Sequence, residues 1–149
     1  MTGRQTADGL AIARSARSFI GVPFRLHGRD PRYGLDCVGL VSATLAKAGF
    51  PATAPTGYAL RNCDISAALS FAAGAGLQET KPAERAGDIA LTCPGPGQFH
   101  LIIHDREGAY IHAHAGLRKV VLMPGPVRDP VLLRWRFDRS TRAPKVRAA

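Results

Sequence analysis

A chain of 149 residues is the length of one domain at about 150 residues each. Its 46% apolar and 21% charged residues exclude a disordered or collagen-like polymer, and no run reaches the roughly 18 apolar residues of a membrane span. The charge of +9 is lopsided: Arg118 to Ala149 holds nine cations against two anions, which points to an anionic partner such as nucleic acid, membrane lipid or cell-wall polymer, or to a solubilising tail.

Residues 8–20 place Ile12, Ala16, Phe19 and Ile20 on one helical face, with Asp8 as the expected cap. Arg14 and Arg17 interrupt the apolar stretch that a secretory signal would need, so the chain reads as cytoplasmic as synthesised. Gly21 and Pro23 end this helix, and residues 24–35 read as loop. A second helix starts at Cys37 behind the cap Asp36, carries Leu40, Val41 and Leu45 as its stripe, and closes at Gly49. Residues 51–63 read as loop, and residues 64–76 as a third helix capped by Asp64. From Gly87 the pattern changes to five short strands: DIALTC, FHLIIH, AYIHAH, KVVLM and VLLRWRF. Helices followed by an antiparallel sheet define an α+β layout, with residues 138–149 expected to fray.

The three cysteines, Cys37, Cys63 and Cys93, are odd in number and form no disulfide framework. Cys93, His100 and His104 have zinc-ligand chemistry, but no CxxC accompanies them and a fourth ligand is missing, so no metal is expected.

Cys37 is placed where unmatched backbone N–H groups and the helix dipole favour an anion, which lowers a thiol pKa and suits a nucleophile. The competing reading is a small buried residue under the helix. The histidines tip the balance. Strand alternation puts His100 and His104 on one face of FHLIIH, and Tyr110, His112 and His114 on one face of AYIHAH. DREG suits a type I turn from Asp105 with Gly108 left-handed, and such an odd-length loop pairs even positions with even ones. His100 then lies opposite or diagonal to His112 or His114, close enough for one ring to take a thiol proton while the other orients it.

These segments resemble the NlpC family of papain-like cysteine peptidases of the bacterial cell wall. IGVPFRLHGRDPRYGLDCVGLV is similar to the family's nucleophile segment, a Gly-x-Pro-Tyr turn, a glycine loop and Asp-Cys-Ser-Gly-Leu-Val, read here as Asp36-Cys37-Val38-Gly39-Leu40-Val41. GDIALTCPGPGQFHLIIHDREGAYIHA is similar to the second block, with Gly87-Asp88, His100 and His112 at the family's spacing. The resemblance covers residues 11–115. It implies a papain-like α+β domain over 1–137, N-terminal helices on about five antiparallel strands; residues 138–149 read from their own charge and pattern as a basic, flexible tail. It implies Cys37 as nucleophile, His100 as general base and acid, His112 as orienter, no cofactor, and a monomer that cuts an amide in peptidoglycan stem peptides through a thioester. Phe24 and Val38 stand where the family has tyrosine and serine; the serine position and the Asp before the nucleophile are associated with gripping a stem-peptide amine, which makes Asp36 a candidate substrate-binding residue. Tyr58, in the loop after the nucleophile helix, is a second.

The absence of a signal and of wall-binding repeats resembles the branch encoded with phage tails and gene transfer agents, whose particles deliver the enzyme to the wall. Competing readings are an amidase or acyltransferase on the same scaffold, a non-catalytic tail component built with other particle proteins, and a nucleic-acid-binding module. Sparse aromatics and the lack of a binding motif disfavour the last.

Overall fold

The computed structural model describes residues 6–53, 65–81 and 83–141. Helix α1 (Ala7–Arg17) is capped by Thr6, whose hydroxyl oxygen accepts from the Gly9 N–H at 2.9 Å. The cap thus lies earlier in the chain than the Asp8 expected from sequence, because Thr6 adopts extended backbone (φ −96°, ψ 153°) and Asp8 is already helical. Asp8 pairs with Arg139 at 2.7 Å. The loop after α1 contains a pair of two-residue strands, β1 (Arg29–Asp30) and β2 (Gly34–Leu35), and leads into α2 (Cys37–Lys47). Helix α3 (Ile65–Ala75) follows; the expected cap and loop residues Tyr58, Cys63 and Asp64 lie outside the described residues.

The main sheet has six antiparallel strands rather than five: β3 (Leu77–Glu79), β4 (Ile89–Gly95), β5 (Gln98–His104), β6 (Tyr110–His114), β7 (Lys119–Met123) and β8 (Val131–Phe137), in the order β3-β8-β4-β5-β6-β7. The extra strand, β3, is three residues long and is held by long-range pairing of Leu77 with Phe137 and Glu79 with Trp135. Ile12, Ala16, Leu40 and Leu45 of α1 and α2 form one core with Leu101, Ile103, Ile111 and Ala113, so the odd positions of β5 and β6 face the helices. Ile102 and His104, next to them on β5, lie on the other face, where His104 meets Arg134 of β8.

The β5–β6 connection departs from a type I turn with one left-handed glycine. Residues 106–108 form a single 3-10 turn in which both Glu107 (φ 60°) and Gly108 (φ 75°) are left-handed, capped by Asp105, whose carboxylate accepts the Arg106 N–H at 2.8 Å. The loop is still odd in length, so Ile103 pairs with Ile111 and His104 with Tyr110.

Two further connections position the site. Residues 21–24 pair with the outer edge of β7: Gly21 N–H donates to Val120 O, Val120 N–H to Val22 O, and Phe24 N–H to Arg118 O. The same segment joins β2, where Leu35 N–H donates to Pro23 O. The start of the expected frayed tail is in fact docked. Asp138 N–H donates to Gly76 O at 2.9 Å, the Thr141 hydroxyl donates to the Asp138 carbonyl, and Arg139 holds Asp8 through two contacts. Residues 138–141 are therefore part of the body, because Arg139 finds an acid 131 positions away that local patterning does not reveal.

Candidate active site

Cys37 is the first residue of α2, and Asp36 is its N-cap in extended conformation (φ −95°, ψ −170°). The Asp36 carboxylate is fully buried and accepts from Gly39 N–H at 2.8 Å, His27 N–H at 2.8 Å and Arg29 Nη1 at 2.9 Å. It ties the loop to the first turn of the helix. Gly39 completes that junction, since a Cβ there would overlap the carbonyl oxygen of Gly28. Cys37 itself is 1% exposed at the N-terminus of α2, where the leading N–H groups and the helix dipole favour a thiolate. Val38, Leu40 and Val41 anchor the following turn in the core.

His100 lies on β5 opposite Thr92, and the Thr92 hydroxyl donates to the His100 carbonyl at 3.1 Å. His100 Nε2 and His112 Nδ1 are 2.8 Å apart, with the rings edge-on at 76°. One proton is shared in this contact, and the other nitrogen of His100, Nδ1, is left for a second partner. Continuing the β5–β6 register places His112 diagonal to His100 and His114 opposite it. The diagonal ring makes the hydrogen bond. His114 instead accepts the Leu117 N–H on its Nδ1 at 3.0 Å, which uses the lone pair that would otherwise reach a neighbouring imidazole. Tyr110, His112 and His114 form a tilted row of rings 5.2–5.3 Å apart along one face of β6.

Helix α2 packs on β5 and β6. Burial pushes the His100 pKa down to about 4, with the His114 charge adding to the drop and the Asp36 carboxylate opposing it. Asp36, at the start of α2, is thus close enough for its charge to act on the ring. Burial likewise pushes His112 down to about 4, with His100 and His114 adding to the drop and Asp129 opposing it. Both rings are neutral at physiological pH, and a neutral imidazole is a proton acceptor.

The two histidines open onto a cavity of about 440 Å³ whose walls include Phe24, Phe99, His114 and Asp129. Phe24 arrives there because residues 21–24 run along the β7 edge before turning into β2 and α2. Of the residues singled out from the sequence, His100 and His112 are brought into direct contact, Cys37 and Asp36 share the start of the helix packed on those strands, and Tyr58 lies outside the described residues. Sequence reasoning missed Arg29 and the His27 N–H as partners of Asp36, and Asp129 on the cavity wall. The first two sit in a glycine-containing loop whose closure no periodicity encodes; Asp129 lies in PGPVRDP, which signals only a turn.

His104, at the end of β5, is buried and receives the Arg134 Nε–H on Nε2 at 3.3 Å. Arg136 reaches the buried Asp88 through two contacts of 2.8 and 2.9 Å. This polar cluster beneath β8 braces the Gly87-Asp88 corner, where His104 N–H donates to Asp88 O.

No family sequence model and no curated protein matches the chain. Solved structures do. The chain is similar to the NlpC/p60 domain of the peptidoglycan hydrolase SagA, with 26% identity, a TM-score of 0.59 and coverage of 87% of this chain and 98% of that one. It is similar in fold to the peptidoglycan hydrolase RipB of Mycobacterium tuberculosis (23%, TM-score 0.61, 87% of this chain and 64% of that one) and to NlpC1 of Trichomonas vaginalis (18%, TM-score 0.67, 91% and 46%). It spans less than two-thirds of the length of the last two. The fold is the NlpC/p60 papain-like α+β fold, in agreement with the resemblance read from the two motif blocks.

Proposed function

We propose, from the NlpC/p60 fold, that this protein is a cysteine endopeptidase that hydrolyses an amide bond in peptidoglycan stem peptides. The observation that carries this reading is the 2.8 Å contact between His100 Nε2 and His112 Nδ1 on β5 and β6, the strands against which α2, the helix that begins at Cys37, packs. A neutral His100 whose Nε2–H donates to His112 keeps its Nδ1 lone pair for the Cys37 thiol proton. The thiolate then attacks the carbonyl carbon, and backbone N–H groups at the helix start stabilise the oxyanion. His100 returns the proton to the leaving amine, which departs as the C–N bond breaks and a thioester forms. Water attacks the thioester with His100 again as base, releasing the carboxylic acid and restoring the thiol.

The phenyl rings of Phe24 and Phe99 suit the apolar parts of a peptide, and the domain's similarity to SagA, a peptidoglycan hydrolase, supports the substrate class. The test is digestion of purified peptidoglycan followed by mass analysis of the fragments, with Cys37→Ala, His100→Ala, His112→Ala and His114→Ala alongside. Cleavage between stem-peptide residues is expected, lost in Cys37→Ala, reduced about 10²–10⁴-fold in His100→Ala, less in His112→Ala and least in His114→Ala. Release of intact stem peptides from the glycan would make it an amidase; an active Cys37→Ala would overturn the nucleophile.

A further inference from the structure

The orphan atom of the site is His112 Nε2, which is buried and has no hydrogen-bond partner among the described residues. The tautomers explain why it matters. If His100 is to keep Nδ1 free as a base, its proton is on Nε2 and His112 Nδ1 is the acceptor. The single proton of a neutral His112 is then on Nε2, as a buried donor with nothing to receive it. A donor left in that state is costly, because it has given up its water and gained no acceptor in exchange.

The connection from β7 to β8 supplies an acceptor. Those strands lie on opposite sides of β4, β5 and β6 in the sheet, so residues 124–130 must cross them. The crossing is pinned at both ends: Gly125 packs on the carbonyl of Gly108 in the β5–β6 turn, and Pro130 O accepts the Cys93 N–H at 2.9 Å beside Thr92, the partner of His100. Asp129 precedes that second pin and lines the same cavity as His100 and His112. It is the one carboxylate among the described lining residues, and among the described residues it has no ion pair or hydrogen bond.

We propose that Asp129 is a positioning residue of the site, accepting the His112 Nε2–H and extending the line Cys37, His100, His112 to a fourth member. Its side chain is exposed, lines the same cavity as His112 and carries a charge that acts on that ring, and the buried donor it faces has no partner among the described residues. The carboxylate holds the His112 proton on Nε2, fixes the tautomer in which His112 Nδ1 accepts from His100, and offsets the positive charge that appears when His100 takes the thiol proton. This inference rests on the proposed hydrolase reading for its kinetic consequence and on the geometry alone for its structural one.

The groups that act on His112 are His100 on β5, Tyr110 and His114 on β6 and Asp129 on the crossing loop; its partner on β7, Val121, does not titrate. The experiment is carried out on the full chain with Asp129→Asn, Asp129→Ala and Asp129→Glu. Imidazole NMR reads the tautomer and titration of His112, and turnover of a soluble stem peptide reads kcat and KM. Both Asn and Ala should lower the His112 titration midpoint and mix its tautomers, with kcat down about tenfold, KM within about twofold and the melting temperature retained; Glu should restore the tautomer in part. An unchanged His112 spectrum in Asp129→Ala overturns the proposal whatever the activity. A shifted spectrum in a chain that cleaves no peptide upholds the contact and removes the hydrolase reading instead.

Discussion

Arg29 Nη1 meets Asp36 Oδ1 at 2.9 Å, and the same oxygen accepts the Gly39 N–H that starts α2, so a single buried atom joins the loop to the helix carrying Cys37. Arg29 is partly exposed while Asp36 is sealed, which makes the carboxylate the member that cannot be left unmatched. Its neutralisation by Arg29 and two backbone donors holds the first turn of α2 in place before any substrate arrives. The cap therefore also fixes the position of Cys37, the proposed nucleophile.

Replacing Asp36 with Ala removes the cap and strands the His27 N–H and the Arg29 guanidinium. A lost N-cap costs about 1 kcal/mol and a broken buried pair about 3–5 kcal/mol, of which the low end applies because Arg29 is partly exposed, so a combined loss of roughly 4 kcal/mol is expected. Asp36→Asn keeps the cap acceptor and should lose about half of that. Urea unfolding midpoints measure both. Equal stability of the two variants would show that the charged contact with Arg29 accounts for the whole loss and that the retained cap acceptor contributes nothing; an Asp36→Asn chain as stable as wild type would show that the charge on Asp36 contributes nothing.

The two described cysteines differ in the opposite sense from what exposure alone dictates. Cys93 is partly exposed and its thiol lies 3.1 Å from Gly95 O, whereas Cys37 is 1% exposed at a helix N-terminus. Thiolate character, not area, controls alkylation. Iodoacetamide at mildly acidic pH should therefore label Cys37 ahead of Cys93, read by peptide mass mapping, and His100→Ala should slow Cys37 while leaving Cys93 unchanged. Preferential labelling of Cys93 would mean that burial governs and that Cys37 is a core residue.

The neutral histidines make the fold acid-sensitive. His100 and His112 are held down to about 4 by burial, and His104 is also lowered, first by burial and then by Arg134. Between about 4 and the ordinary value of 6.5 the unfolded chain binds protons that the folded chain refuses, so stability rises with pH across this window and falls as pH drops through it. Below about 4 the contribution of this pair levels off. Urea midpoints should decline as pH is lowered from about 7 to about 5, and the double variant His100→Gln, His112→Gln should flatten the decline while retaining the part due to His104. A wild-type midpoint independent of pH over that range would contradict the neutral pair.

Much of the site was legible from local pattern. Asp36 before an apolar stripe signalled the cap, and strand alternation with an odd loop put His100 within reach of His112 even though the turn proved to have two left-handed residues. The two strands β5 and β6 carry their register in their own alternation, so a change of turn type did not alter it. What escaped was decided by contacts distant in sequence. Strand β3 has only Leu77 buried and is defined by pairing with Trp135 and Phe137; the helix cap was Thr6 while Asp8 is engaged by Arg139; and Asp129 reaches the cavity of the histidines through a crossing that strand order alone explains. A turn-rich segment such as PGPVRDP shows that the chain reverses, not which face it covers.

The docked start of the basic end separates structural charge from charge available to a partner. Arg139 is held by Asp8, and Asp138 and Thr141 are bonded around Gly76, so cutting the chain after Phe137 removes contacts of the folded body. Cutting after Thr141 removes Arg142, Lys145 and Arg147 and no acid, which lowers the net charge of +9 by three while leaving those contacts intact. Charges in water act over a Debye length of about 8 Å at physiological salt, so three fewer cations should weaken attraction to anionic cell-wall material chiefly at low salt. Sedimentation with isolated walls from low to high salt should show reduced retention of the 1–141 chain that fades as salt rises, with melting temperature and soluble-peptide turnover unchanged. The 1–137 chain should melt lower as well. If 1–141 binds walls as the full chain does at low salt, residues 142–149 are no tether; if it melts like 1–137, the contacts of Asp138, Arg139 and Thr141 are not what secures this end of the fold.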